Sequence, residues 1–248
     1  MLLRPMALCT LLCACQSAQA GDLIVSAASS LTEAFREVAD NYQAEHPGTR
    51  VLLNFGASGA LLQQMARGAP VDVFASADQA TMDLATGKGL VQAGSRRDFA
   101  GNALVVVVPG NSRQDVSRLQ DLLVAEVHKI AISNPASVPV GRYARQALQT
   151  AGLWTQAQAR VVGTQSARQS LDYVARGEVD AAFVYRTDAS SMPGRVRIAL
   201  ELSLANAIRY PIAPVADSGD GAEARRFVDY VLSPSGQTVL GRHGFLAP

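Results

Sequence analysis

Cysteine is absent from nearly all of the chain. Cys9, Cys13 and Cys15 are the only three, and all precede Gly21. From Gly21 onward no disulfide, thiolate metal site or cysteine nucleophile is available. Histidine is almost as scarce. His46, His128 and His243 stand far apart with no H-E-x-x-H motif, so surface or packing roles suit them better than a metal site. Neither a Walker A loop nor a G-x-G-x-x-G turn occurs, so the chain carries no nucleotide-phosphate motif of its own. An excess of one charge is also lacking, with 22 Lys+Arg against 21 Asp+Glu and a formal charge of +1. That balance argues against the basic footprint of a nucleic-acid binder and against a long acidic or disordered tail. No apolar run after the N-terminus reaches transmembrane length, which predicts a soluble mature protein.

What the chain does have is apolar residues, 48% of 248 against 17% charged. This is enough for one large domain or two smaller lobes. Residues 1–20 read as a secretory signal peptide. Arg4 supplies the positive start, Met6–Cys15 the apolar stretch, and Ala18-Gln19-Ala20 the cleavage site before Gly21. Lipoprotein processing at Cys15 is the alternative. Loss of Arg4, the only charged residue in the segment, leaves 21 of each sign. An exported chain without disulfides suggests a bacterial periplasm.

Hydrophobic periodicity predicts alternating strands and helices. Leu23–Ala27 reads as a strand. Leu31, Ala34, Phe35, Val38, Ala39 and Tyr42 then fall on one helical face, ended by Pro47-Gly48. Arg50–Phe55 and Val71–Ala75 read as strands around a helix that opens at Ser58. Ala103–Val108, His128–Ile132, Val179–Tyr185 and Tyr210–Val215 are further predicted strands. Helices are predicted near Gly141–Ala151, Ala167–Arg176 and Ala222–Leu232. The alternation predicts an α/β fold with parallel strands. One unit is echoed. The helix from Ser58 ends Ala66-Arg67-Gly68 before Val71-Asp72, and the helix from Ser166 ends Ala175-Arg176-Gly177 before Val179-Asp180. The two glycines suit a left-handed position after a helix, and the repetition suggests two lobes of related build.

Four predicted helix starts share small or hydroxyl residues and no charge: Ala28–Leu31, Gly56–Gly59, Val138–Gly141 and Gln165–Ala167. The first N–H groups of a helix lack intrahelical partners and sit at the positive end of its dipole. Several such ends converging on one cleft would hold a small oxyanion without Lys or Arg. Helix capping alone would explain any one of the serines. Ser30-x-x-Glu33 and Ser166-x-x-Gln169 both match a capping box.

Together these segments resemble the molybdate-binding periplasmic proteins of ABC importers. The resemblance is carried, in order, by Ala28–Thr32, Phe55–Gly59, Val71–Asp78, Asn134-Pro135 with Val138–Tyr143, and Val184–Ala189. It spans essentially the whole chain after residue 20. It implies a two-lobed periplasmic-binding-protein fold of type II topology. The first lobe would comprise residues 21–103 and 212–248, and the second 104–211. The hinge would be two crossover strands near Ala103–Val108 and Tyr210–Val215. It implies molybdate, and tungstate with it, held by the hydroxyls and N–H groups of Ser30 and Ser58, the N–H groups of Val140 and Ala167, and the Tyr185 hydroxyl. Ser29 rivals Ser30. Family members often have Ala at position 140 and Val at position 167, but both positions donate through the backbone. The resemblance further implies a monomer without cofactor or metal-cation ligands, which delivers its ligand to the membrane permease and ATPase subunits of an ABC importer.

Molybdate at neutral pH is a dianion with four acceptor oxygens and no proton, so it needs donors only. A phosphate site must also cope with a protonated oxygen, which favours an acceptor such as Asp. The five positions include no carboxylate. The alternative from another class is an α/β-hydrolase-like esterase using Ser58. Gly56-Ala57-Ser58-Gly59 lies between a strand and a helix, as a nucleophile elbow does, and His243 follows later in the chain. Ala60 stands where the elbow needs glycine.

Overall fold

Strand–helix alternation begins at the first residue that the computed structural model describes. It describes residues 21–248, so the predicted signal segment and the three cysteines lie outside the described residues. Strand β1 (Gly21–Ala28) leads through a 3₁₀ turn (Ser29–Leu31) into α1 (Thr32–Glu45), which buries the apolar face predicted for it. Then come β2 (Thr49–Gly56), α2 (Ser58–Ala66), β3 (Val73–Ala75), α3 (Gln79–Gly87) and β4 (Arg97–Asn102). A second set follows: β5 (Leu104–Pro109), β6 (Ile130–Ser133), α4 (Pro139–Thr150), the short α5 (Trp154–Ala157), β7 (Val161–Thr164), α6 (Ala167–Ala175), β8 (Ala181–Tyr185), α7 (Arg186–Ser190) and β9 (Val196–Leu202). The chain closes with β10 (Ile208–Pro214), α8 (Gly221–Leu232) and α9 (Pro234–Arg242).

The strands form two five-stranded sheets, ordered β2-β1-β3-β10-β4 and β7-β6-β8-β5-β9. In each, the first three strands are parallel and the fourth, β10 or β5, runs antiparallel to them. The two orders superpose term by term, so the echoed units occupy matching places. The units α2–β3 and α6–β8 each lead into the third strand of a parallel trio. Gly68 and Gly177 both take positive φ just after their helices, as the A-R-G pattern predicts. The architecture is the two-lobed α/β one expected.

The crossings between sheets differ from the expected hinge strands. β5 lies wholly in the second sheet and β10 wholly in the first. The chain changes sheet at Ala103, between β4 and β5, and at residues 203–207, between β9 and β10. The second crossing therefore precedes the expected boundary at 211/212. The cause is pairing: Ile208 and Tyr210 are already matched to Asn102 and Ala100 of β4. The first lobe is cored by an aromatic cluster. The Phe35 ring lies against Phe99 and Phe227, and Tyr210 against Phe99 and Phe245, with ring centroids between 5.6 and 6.4 Å apart.

Candidate functional site

In a parallel sheet the carboxyl ends of the strands share one edge, and each following helix starts there. Ser30 follows β1, Ser58 follows β2, Val140 lies beyond β6, Ala167 beyond β7, and Tyr185 ends β8. All five sequence-predicted positions are thus strand-end positions, and all five are buried. Short contacts between the lobes bring them round one place. The Tyr185 hydroxyl points at the carbonyl of Ala77, and the Ala77 N–H donates to Ser58 Oγ at 3.0 Å. The Tyr185 and Tyr210 rings lie 5.5 Å apart between centroids, and Tyr210 Oη is 3.0 Å from Ser30 Oγ. Helix α6 packs on the Ser29–Leu31 turn. The Gly59 N–H at the start of α2 donates at 3.0 Å to the carbonyl of Ser137, just before α4. A Cβ on Gly59 would lie 2.5 Å from that carbonyl oxygen, so only glycine fits there.

The hydrogen-bond polarity at these positions is specific. Ser58 Oγ accepts from a backbone N–H, which leaves its own proton free. It is the first residue of α2, whose N-cap is Ala57, so it does not cap the helix as the sequence suggested. Ser30 does not cap either. The 3₁₀ turn makes Leu31 the N-cap of α1, and no side chain caps that end. Ser166 does cap, accepting the Gln169 N–H at 3.1 Å. The Ala167 N–H lies beyond that cap in the first turn of α6, and the Val140 N–H holds the same kind of place in α4, where helix donors lack intrahelical acceptors. The Tyr185 hydroxyl is 3.4 Å from its carbonyl partner, longer than the usual 2.5–3.0 Å, so it is only weakly engaged. Burial pushes the Tyr185 and Tyr210 phenols well above their ordinary range, which keeps both protonated.

Three arginines near these helix starts are paired with carboxylates. Arg142 Nε donates to Asp78 Oδ2 at 2.8 Å and its Nη2 to Thr81 Oγ1 at 2.6 Å. Arg168 pairs with Glu33, and Arg186 with Glu201. The first two pairs join the second lobe to the first, so their charge is spent on holding the lobes together. Asp188 Oδ2 accepts the Tyr185 N–H at 3.1 Å, which fixes the end of β8. Its other oxygen is buried without a partner among the described residues, and burial pushes this carboxyl up to about 7. Sequence reasoning passed over Ala77, Tyr210 and Asn102. A buried hydroxyl trio behind α6 was also missed, with Ser133, Thr164 and Ser170 between 2.6 and 3.0 Å apart.

No group of three or more His, Cys, Asp or Glu side chains suited to a metal ion occurs among the described residues. No helix there is long and apolar enough to cross a membrane. The hydrolase alternative is corrected. His243 Nε2 lies 2.7 Å from Glu37, and Ser58 Oγ is hydrogen-bonded to a backbone N–H rather than to a histidine. Without a base on its proton, that serine is not activated for attack.

Residues 23–246 match the family described as bacterial extracellular solute-binding proteins. The chain belongs to that family. Among relatives of this solute-binding protein is YvgL of Bacillus subtilis, described as an ABC-transporter substrate-binding lipoprotein. It is 35% identical over 227 residues, covering 91% of this chain and 86% of YvgL. The molybdate-binding protein ModA of Escherichia coli is 33% identical over 233 residues, covering 92% and 90% respectively. Among solved structures, the periplasmic molybdate-binding protein of Azotobacter vinelandii matches with a TM-score of 0.81 at 25% identity, covering 91% of this chain and 99% of that one. The family is one of solute-binding proteins, not of enzymes.

Proposed function

We propose that this protein captures molybdate, and tungstate with it, outside the cytoplasm and hands it to the permease and ATPase subunits of an ABC importer. It is exported by the segment 1–20 and acts as a monomer. The donors are the hydroxyls of Ser30, Ser58 and Tyr185 with the N–H groups of Ser30, Ser58, Val140 and Ala167. The observation that carries this reading is the Ala77 N–H on Ser58 Oγ. It turns the serine proton away from the protein, toward a ligand that can only accept. Relatives named for molybdate binding support the choice among oxyanions.

A thermal-shift and calorimetry panel of molybdate, tungstate, sulfate, phosphate and an ester tests it. A ligand at about 100 times its dissociation constant stabilises by about 2.7 kcal/mol. Molybdate and tungstate should give the largest shifts, and the ester no turnover. A hydrogen bond to a charged group is worth about 1.5–3 kcal/mol, so Ser58→Ala and Tyr185→Phe should each weaken molybdate binding about ten- to a hundredfold. Wild-type affinity in both variants would refute the residue assignment. Ser29 would then be the next position to test in the first lobe.

A further inference from the structure

Among the described residues Ser30 Oγ has one hydrogen-bond partner, the Tyr210 hydroxyl, and either oxygen could donate in that pair. The surrounding bonds decide the direction. Asn102 is the last residue of β4, and its Oδ1 accepts the N–H of Ala103 at 2.9 Å. A backbone N–H can only donate, so this bond fixes which end of the amide is oxygen. The Nδ2 end then donates to Thr187 Oγ1 at 2.9 Å and to Tyr210 Oη at 3.3 Å. Tyr210 is fully buried and carries one proton. With Asn102 donating to its oxygen, that proton goes to Ser30 Oγ, its one other hydrogen-bond partner among the described residues.

We propose that Asn102 and Tyr210 are positioning residues that lock the Ser30 hydroxyl as a donor toward the bound anion, and so set the rejection of protonated dianions such as hydrogen phosphate. The direction of donation runs from Ala103 to Asn102, Tyr210, Ser30 and then the ligand. A serine oxygen that receives the Tyr210 proton cannot send its own proton back to Tyr210, so that proton is left for the anion. A fully deprotonated dianion is satisfied by this. A dianion that keeps one proton meets a donor where it needs an acceptor. Ser58, which receives the Ala77 N–H, is set in the same way, so both serines keep their proton for the ligand instead of spending it on these partners. The proposal rests on the oxyanion reading above.

The test is displacement of bound molybdate by millimolar phosphate at about pH 8, where phosphate is mostly the singly protonated dianion. Equal charge on the two ligands makes the affinity ratio insensitive to general electrostatic damage. In Tyr210→Phe the serine hydroxyl is free to turn, and the preference for molybdate over phosphate should fall at least about tenfold. The same change made on Ser30→Ala should leave the ratio within about twofold, because the effect passes through that oxygen. Asn102→Asp, nearly the same in shape, supplies a second readout should Tyr210→Phe fail to fold. Its carboxylate accepts the Tyr210 proton, reverses the direction, and should lower the ratio in the same sense. A ratio unmoved in both variants, or moved equally with and without the Ser30 hydroxyl, overturns the proposal while molybdate binding by the wild type stands. A wild-type protein that binds no oxyanion overturns this proposal and the functional reading together.

Discussion

Ala77 contributes no side-chain chemistry, yet its backbone N–H and carbonyl meet two candidate ligand residues at once. Its N–H takes a lone pair of Ser58, and its carbonyl weakly holds the Tyr185 proton. A single residue of the first lobe thus touches a hydroxyl from each lobe, firmly at Ser58 and weakly at Tyr185. Asp188 has one carboxylate oxygen bonded to the Tyr185 N–H and the other buried with no partner among the described residues. Desolvation raises its pKa to about 7, so the folded protein holds a proton that the unfolded chain releases near pH 4. The sign follows from proton linkage. The stabilising contribution is complete below the unfolded value and is lost as pH rises to the folded one. For ligand-free protein this predicts lower stability at pH 8 than at pH 5, with up to about 3 kcal/mol of the loss due to this carboxyl, the rest of its contribution being already gone at pH 5. Asp188→Asn should remove that share, since an amide has no charge to bury. Urea denaturation of both proteins at the two pH values measures it. A stability difference between them that does not change with pH would refute the assignment.

At the scale of elements, helix starts that look alike in sequence are used differently. Ser166 is a true cap on α6, and its Oγ–Gln169 bond helps to hold the turn that carries the Ala167 N–H. Ser166→Ala should therefore cost about 1 kcal/mol of stability. It should loosen anion binding as well. Ser30→Ala should reduce binding without a capping loss, because Ser30 lies in a 3₁₀ turn and α1 starts only at Thr32, with Leu31 as its N-cap. Chemical denaturation without ligand, set beside calorimetry with ligand, separates the two. Equal stability losses in both would contradict the observed caps. This is also where the sequence was least legible. The capping box at Ser30 matched in spacing, but spacing does not reveal a 3₁₀ entry. β4, with Arg97, Asp98, Gly101 and Asn102 in six residues, gives no hydrophobic signal, because its place in the sheet comes from pairing with β10. β7 and β9 are edge strands with partly exposed faces and were hidden for a similar reason. Strongly periodic segments such as α1 were read within a few residues. The five candidate site positions were reached through the family resemblance, whereas Tyr210 and Asn102, inside or beside regular strands, carried no motif to mark them.

For the whole molecule, the candidate donors divide between lobes: Ser30 and Ser58 in the first, Val140, Ala167 and Tyr185 in the second. A ligand touching both favours the closed arrangement by its extra contacts there. The interlobe pairs Arg142–Asp78 and Arg168–Glu33 act in the same direction. Small-angle scattering should show a smaller radius of gyration with saturating molybdate than without, and Arg142→Ala should widen the ligand-free envelope further. A radius unchanged by saturating ligand would count against a clamp. The two crossings have a separate consequence for how the protein can be cut and rebuilt. The chain enters the second sheet once, at Ala103, and leaves it once, at 203–207, with Leu104 and Leu202 directly paired across neighbouring strands. The second lobe is therefore a continuous cassette whose two ends lie side by side. A short turn joining Asn102 to Ile208, already opposite each other in the first sheet, would close the gap left by its removal without stretching a strand.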